Sequence, residues 1–288
     1  MSKAATLRAL LARESITTLP GCWDALSARM IERAGFPAAF MSGYAVSAAR
    51  IGLPDAGLIS YSEMLSAGRD ICAATAIPII GDADTGFGNP ANVRRAVQGY
   101  AQAGFACVMI EDQVFPKRCG YAQGLAVAPR DEVRLRLQAA LDMRDEIRAA
   151  GGDLLVIGRT DARPAEGLEE ALWRAEAFAD MGADIVYFEG PQSEAEMAEL
   201  NRRVATPTML AQIEKPGRPW LNGPQAQALG YKLLLLGVTL LNATIRAQQD
   251  ALAEMAAEGR AERLVSFDTL YETVGFEDYY AIERRYLA

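Results

Sequence analysis

Short runs of consecutive apolar residues alternate along this chain with longer stretches whose apolar positions recur roughly every 3.6 residues. The short runs are "ITTLPG", "AAFMSG", "IPIIGDAD", "ACVMIED", "LLVIGRTD", "DIVYFEG", "PTMLAQ" and "KLLLLG", eight in all. They are near-continuous rather than alternating, which marks strands buried on both faces, as in a parallel sheet. Between them lie helical patterns such as "PANVRRAVQGYAQAG", "PRDEVRLRLQAALDMRDEIRAAG", "GLEEALWRAEAFADMG" and "SEAEMAELNRRV". Several open on Pro or Ser and close on Gly, the residues that suit the first turn and the left-handed exit of a helix. Eight buried strands alternating with helices predict a (β/α)8 TIM barrel. A doubly wound open sheet is the alternative, but no G-x-G-x-x-G follows the first strand. Residues 1–288 read as one barrel domain, with 242–288 as a C-terminal helical extension. "TLLNATIRAQQDALAEMAAEGRAERLV" predicts a long helix after the eighth strand, and "SFDTLYETVGFEDYYAIERRYLA" follows it, rich in aromatics. Large apolar patches are disfavoured in water, so this tail is expected to pack on its own barrel or on a neighbour.

Composition narrows the function. Hydrophobic residues make up 51% of the chain, enough for a large core. A net charge of -8 and a pI of about 4.9 argue against a nucleic-acid partner, which needs a basic field. No run reaches the roughly 18 apolar residues that span a bilayer, so no membrane partner is expected. Lys3, Arg8 and Arg13 interrupt the first apolar stretch, which speaks against a secretory leader. Cys22, Cys72, Cys107 and Cys119 show neither metal-type spacing nor a disulfide framework; Cys72 and Cys107 sit in apolar runs as core thiols. A cytoplasmic protein is the expectation. The chain contains no histidine, which excludes histidine-based triads and histidine metal sites. Proton transfer near neutral pH falls to Cys, Tyr, Lys, a shifted carboxylate or water.

In a barrel of this kind the C-terminal strand ends form the active-site face. The second run ends in Ser42-Gly43-Tyr44, and the loop after it carries Asp55 in "GLPDAG". The third ends in Asp82 and Asp84, the fourth in Glu111 and Asp112, the fifth in Arg159 and Asp161. The sixth ends in Glu189 and the seventh in Gln212. Carboxylates converging on one pocket raise each other's pKa unless a cation neutralises them. With hard oxygen donors and no histidine, that cation is expected to be Mg²⁺ or Mn²⁺. The glycines of "DADTGFGNP" lack the lysine of a phosphate loop and read as a tight turn, capped by Asn89 with Pro90 at the first helical position. From Gln113 to Ala128 the connection is far longer than a usual βα loop, which suggests a lid. Lys117, Arg118 and Cys119 lie at its centre, where two adjacent cations should favour the thiolate.

With these residues in place, the sequence resembles the isocitrate lyase / phosphoenolpyruvate mutase superfamily, and within it the short members of the 2-methylisocitrate lyase type. The resemblance rests on S-G-Y at 42–44, "LPD" ending at Asp55, "DADTGFGN", "IEDQ", "KRCG" and "RTDA", and covers nearly the whole chain. It implies a barrel whose eighth helix swaps between subunits in a homotetramer. It further implies that Asp82 holds Mg²⁺ directly, with Asp55, Asp84 and Glu111 reaching it through water. Ser42, Gly43 and Tyr44 would contact a small 2-oxo acid, Arg159 would pair with the substrate, and Glu189 and Gln212 would line the pocket. Lys117, Arg118 and Cys119 match a gating loop whose cysteine marks the carbon–carbon lyases. The expected reaction is retro-Claisen cleavage of a 2-hydroxy dicarboxylate or tricarboxylate, of the 2-methylisocitrate or 2,3-dimethylmalate type. Cys119 would protonate the carbanion, and Tyr44 or a water near Asp55 would take the hydroxyl proton. Oxaloacetate hydrolysis or decarboxylation, phosphonopyruvate chemistry and a catalytically silent scaffold are the alternatives. The sequence departs from the lyase pattern at Tyr121, at Gln212 and across Lys215, Pro216, Gly217, Arg218 and Pro219, all expected around the distal part of the substrate.

Overall fold

The computed structural model describes residues 1–120, 122–215 and 217–287. Each of the eight apolar runs becomes a strand: β1 (Thr17–Cys22), β2 (Ala39–Met41), β3 (Ile79–Asp82), β4 (Cys107–Glu111), β5 (Leu155–Thr160), β6 (Ile185–Phe188), β7 (Thr208–Ala211) and β8 (Leu233–Leu236). All pair in parallel in sequence order, and β8 returns to β1 through Thr17 opposite Leu233, closing the barrel. The period of two along each strand divides the side chains between two cores. Cys107, Met109, Leu155, Ile157, Ile185, Leu233 and Leu235 fill the barrel interior. Val108, Ile110, Val156, Val186, Phe188 and Leu234 face the surrounding helices. That double burial is why the runs read as continuous.

The interior core has one further contributor. A helix at Lys3–Leu11 adds Ala4, Leu7, Leu10 and Leu11 to it. Lys3 Nζ donates to the carbonyls of Cys72 and Thr75, and Arg8 pairs with Asp153, all on segments that lead into strands. The helix therefore plugs the barrel at the strands' N-terminal ends, opposite the charged rim.

The helix starts are as the sequence suggests. Asn89 accepts from the N–H groups of Ala91 and Asn92 at the start of helix Pro90–Ala103, with Pro90 in its first turn. Helix Arg130–Ala149 begins directly after Pro129. The chain divides into two compact units, 1–240 and 241–288. The helix after β8 spans Thr239–Glu258 and stops at Gly259, where φ is 74°, short of the Val265 end expected from its composition. Two short helices follow, Phe267–Val274 and Phe276–Tyr286, joined at the left-handed Gly275. Phe267, Tyr271, Phe276, Tyr279 and Tyr280 form a chain of ring contacts within this second unit. Leu264, Val265, Phe267, Tyr286 and Leu287 are exposed.

Candidate active site

The charged rim forms where strand geometry requires it. Ser42 caps the helix Gly43–Ile51, accepting from Ala45 N–H at 3.3 Å. That helix start points at Asp82: the Gly43 N–H donates to Asp82 Oδ2 at 3.3 Å. A Cβ on Gly43 would fall 2.7 Å from the same oxygen, so the approach needs glycine. Tyr44, one residue on, is 42% exposed. Asp82 Oδ1 accepts from Asp84 N–H at 3.1 Å, and buried Tyr100 donates to the Asp82 carbonyl at 2.7 Å. Asp84 and Phe87 both take positive φ, 48° and 62°, with Gly86 and Gly88 in the same turn. A non-glycine residue held there is strained, and such strain concentrates at functional sites.

Asp55, Asp82, Asp84 and Glu111 are all buried. The lid supplies their counter-charge. Lys117, also buried, places its Nζ 2.5 Å from Asp55 Oδ1 and 2.9 Å from Asp84 Oδ1. These are ion pairs by distance; among the described residues neither oxygen receives a hydrogen bond of good geometry, and both oxygens of Glu111 also lack one. Burial pushes the Asp84 carboxyl up to about 6, Lys117 opposes it, and Asp82 and Asp55 add to the rise. Burial likewise lifts Glu111 well above the carboxylate range, against Arg159 and Lys117. Burial alone would lower the Lys117 pKa, but Asp84, Glu111, Asp55 and Asp82 outweigh it and hold the ammonium charged.

A second cluster adjoins the first through Glu111. Arg159 makes a two-point contact with Asp161, Nε and Nη2 each at 2.8 Å, while Nη1 lies 3.3 Å from Glu111 Oε2. Glu189 lies 3.7 Å from Nη2 and accepts a short hydrogen bond from the hydroxyl of Tyr187, whose ring lies under the guanidinium at 5.2 Å. Asp112 stands behind, bonded to the Thr160 hydroxyl, the Asp161 N–H and Arg174.

The described residues of the lid segment 113–128 dock on both clusters. Cys119 N–H donates to the Asp55 carbonyl at 2.9 Å, and Cys119 is half-buried. A Cβ on Gly57 would lie 2.8 Å from Pro116, and one on Gly120 would meet Glu189 Cγ at 3.0 Å and Asp161 Oδ1 at 3.1 Å. Arg118 turns away from the carboxylates, and the structure separates it from Lys117. Its guanidinium donates to Gln123 O at 2.6 Å, and its own N–H donates to Gln113 Oε1 at 2.9 Å. Gln212 is buried, and its amide donates to Leu221 O at 3.0 Å, tying down the loop after β7. Arg218 donates to Pro191 O at 3.3 Å. Tyr121 and Pro216, singled out in the sequence, lie outside the described residues.

Among the described residues, the buried acids outnumber the cations seen paired with them. Asp55, Asp82, Asp84, Glu111, Asp112, Asp161 and Glu189 are buried together, while the cations paired with them are Lys117, Arg159 and Arg174. Among the described residues no three acidic or thiol groups already converge as a ready inner-sphere cage. Buried oxygens lacking hydrogen bonds, spread around Asp82 rather than collapsed into a cage, fit a divalent cation that keeps several of its waters. The donor set is all oxygen, which suits Mg²⁺ or Mn²⁺.

Comparison with known proteins now bears on this geometry. The family model described as phosphoenolpyruvate phosphomutase matches residues 7–256. The chain belongs to the phosphoenolpyruvate mutase/isocitrate lyase superfamily. Within this superfamily it is 35% identical to the 2,3-dimethylmalate lyase of Eubacterium barkeri, over 99% of each chain. It is 36% identical to a 2-methylisocitrate lyase of Aeropyrum pernix, over 95% of this chain and 87% of that one. Among solved structures, an oxaloacetate acetylhydrolase in complex with 3,3-difluorooxalacetate superposes with a TM-score of 0.93 at 31% identity, over 98% of this chain and 96% of that one. A phosphonopyruvate hydrolase in complex with oxalate and Mg²⁺ superposes with a TM-score of 0.88 at 29% identity, over the full length of both.

Asp112, Asp161, Tyr187 and Gly120 are site residues whose roles the sequence did not assign. Asp161 carried a signal: it follows Arg159 by two positions, the spacing that puts strand residues on one side.

Proposed function

We infer that the protein is a Mg²⁺-dependent carbon–carbon lyase that cleaves a small 2-hydroxy dicarboxylate or tricarboxylate. One product is a 2-oxo acid, pyruvate for the 2,3-dimethylmalate and 2-methylisocitrate types; the other is a carboxylate. The observation that carries this reading is the docked lid, which brings Lys117 onto Asp55 and Asp84 and sets half-buried Cys119 between the two clusters. Similarity to lyases along almost the entire chain supports the reaction class.

Asp82, with Asp55, Asp84 and Glu111 around it, would hold the cation. When bound, it would supply Lewis acidity that eases transfer of the substrate's hydroxyl proton to Tyr44 or to a water near Asp55. The rest falls to the chain. Ser42, Gly43 and Arg159 bind and orient the oxo-acid half, and Glu189 lines the pocket beside Arg159. As the C2–C3 bond breaks, its electron pair moves onto C3 and a carbonyl forms at C2. Lys117 and Arg159 stabilise the resulting enediolate in a site the lid closes to water. The Cys119 thiol then delivers its proton to C3. Arg118, turned back onto its own loop, acts in closure rather than in bond cleavage.

The protein is read further as a cytoplasmic homotetramer, its aromatic C-terminal helices exchanged between subunits. The exposed apolar side chains of 264–287 support that reading, and no helix among the described residues is long and apolar enough to cross a membrane. The second reading is hydrolysis of oxaloacetate, favoured by the high structural similarity to the acetylhydrolase. Product identification separates the two. Pyruvate released from 2,3-dimethylmalate or 2-methylisocitrate, abolished by EDTA and restored by Mg²⁺, is the expected result. Oxalate and acetate formed from oxaloacetate, with the two malates inert, would replace the lyase by the hydrolase.

A further inference from the structure

Arg159 is a long side chain with much rotamer freedom to lose when it is fixed. It emerges from the end of β5 among carboxylates that could each draw it in a different direction. Glu111 lies 3.3 Å from Nη1 and Glu189 3.7 Å from Nη2, both long for a charge-assisted hydrogen bond. Asp161 alone among them makes a two-point contact, with both distances at 2.8 Å, and so fixes the plane of the guanidinium. It occupies Nε and Nη2 and leaves the Nη1 edge turned toward Glu111 and the metal-binding carboxylates.

Asp161 is itself immobilised. Its side chain is fully buried, and its backbone N–H donates to Asp112 Oδ1 at 2.9 Å. Asp112 accepts in addition from the Thr160 hydroxyl at 2.7 Å and from Arg174 Nη1 at 3.1 Å. Arg174 lies on the outer helix Leu168–Asp180 and donates to Glu170 at 2.8 Å and to Ala128 O at 3.0 Å. The chain of contacts runs from an outer helix, through the ends of β4 and β5, to one guanidinium. Such connected supports are what hold a binding group to the tolerance that recognition requires.

The geometry points to Asp161 as a positioning residue that aims Arg159 at the substrate carboxylate, with Asp112 and Arg174 as its buttress. This rests on the reading of Arg159 as an anion-binding residue. A purely electrostatic view of Asp161 gives the opposite sign. Its negative charge offsets that of Arg159, so neutralising it would strengthen anion binding, whereas losing the two-point lock weakens it.

The test is calorimetric titration with oxalate, a 2-oxo acid analogue, in saturating Mg²⁺, on wild type, Asp161→Asn, Asp161→Glu and Arg159→Gln. Thermal melting serves as the fold control. Positioning predicts that Asp161→Asn weakens oxalate binding by at least about tenfold with the melting temperature little changed. Asp161→Glu keeps the charge but displaces the carboxylate by one methylene; it should lose affinity too, and it carries the test if the Asn variant does not fold. Unchanged or tighter oxalate binding by a folded Asp161 variant, with Arg159→Gln deficient, overturns positioning and leaves Arg159 in its role. Wild-type affinity in Arg159→Gln would overturn the role of Arg159, and positioning with it.

Discussion

The Lys117 ammonium lies 2.5 Å from the Asp55 carboxylate, which joins the lid after β4 to the loop after β2 by a buried ion pair. The same nitrogen reaches Asp84, and the Cys119 N–H closes on the Asp55 carbonyl. Lid position and site charge are therefore coupled through one side chain. Lys117→Met removes the charge and keeps most of the stem. Breaking one partner of a buried pair costs about 3–5 kcal/mol, more than a single lid hydrogen bond can replace. Turnover should fall by at least about 100-fold, and amide exchange at residues 117–120 should accelerate. Unchanged exchange would mean that the lid is held elsewhere.

Cys119 sits between the two clusters and is the acid the proposed reaction needs. Cys119→Ser keeps the shape and raises the group's pKa. Turnover should drop by about 100-fold or more, with Mg²⁺ affinity by calorimetry unchanged. Near-normal turnover would remove the thiol from the chemistry and favour the hydrolase.

Gly120 lands on Asp161 and Glu189, where a methyl group would press on Glu189 Cγ at 3.0 Å and Asp161 Oδ1 at 3.1 Å. Gly120→Ala should leave the melting temperature within a few degrees while the lid fails to seat. The loss is expected in kcat, by about tenfold or more, and Cys119 should alkylate faster with iodoacetamide than in wild type. Alkylation at the wild-type rate would show that the lid tolerates the extra carbon.

The barrel was legible because each strand is buried twice, once inward and once against helices, and that leaves a continuous apolar run. The carboxylates at 55, 82, 84 and 111 were legible because strand-end acids in an apolar chain need a reason. Contacts between distant segments carried no local signal. The plug helix Lys3–Leu11 shows in the sequence only as an apolar stretch interrupted by Lys3 and Arg8, until its partners around Cys72, Thr75 and Asp153 are known. Adjacent Lys117 and Arg118 look alike in sequence, yet one is buried on carboxylates and the other folds back onto its own loop. Gly120 is one glycine among many until the surface it touches is seen.

At the plugged end, hydrogen bonding to Arg8 holds the Asp153 carboxyl below its ordinary range. A carboxylate depressed in the folded state stabilises above its unfolded pKa and loses that contribution as pH falls through the folded one. The melting-temperature gap between wild type and Asp153→Asn should therefore be constant from pH 7 to about pH 5 and close below about pH 4. A gap independent of pH would assign the loss to packing rather than to charge.

The last prediction concerns the distal substrate group. Gln212 is tied to Leu221 O and Arg218 to Pro191 O, so the polar groups that set this chain apart serve the loop after β7. Pro191, Met197, Ala211, Ile213 and Pro219 line a small crevice together with Gln212 and Arg218 themselves. While Gln212 and Arg218 stay tied to the loop, a third substrate carboxylate placed there would be buried without a partner, at a cost of several kcal/mol. An alkyl group would not. 2,3-Dimethylmalate should therefore equal or exceed 2-methylisocitrate in kcat/KM. A preference for the tricarboxylate by more than about tenfold, about 1.4 kcal/mol in transition-state binding, would mean that Arg218 leaves Pro191 to hold the extra carboxylate. In that case Arg218→Gln should reverse the preference.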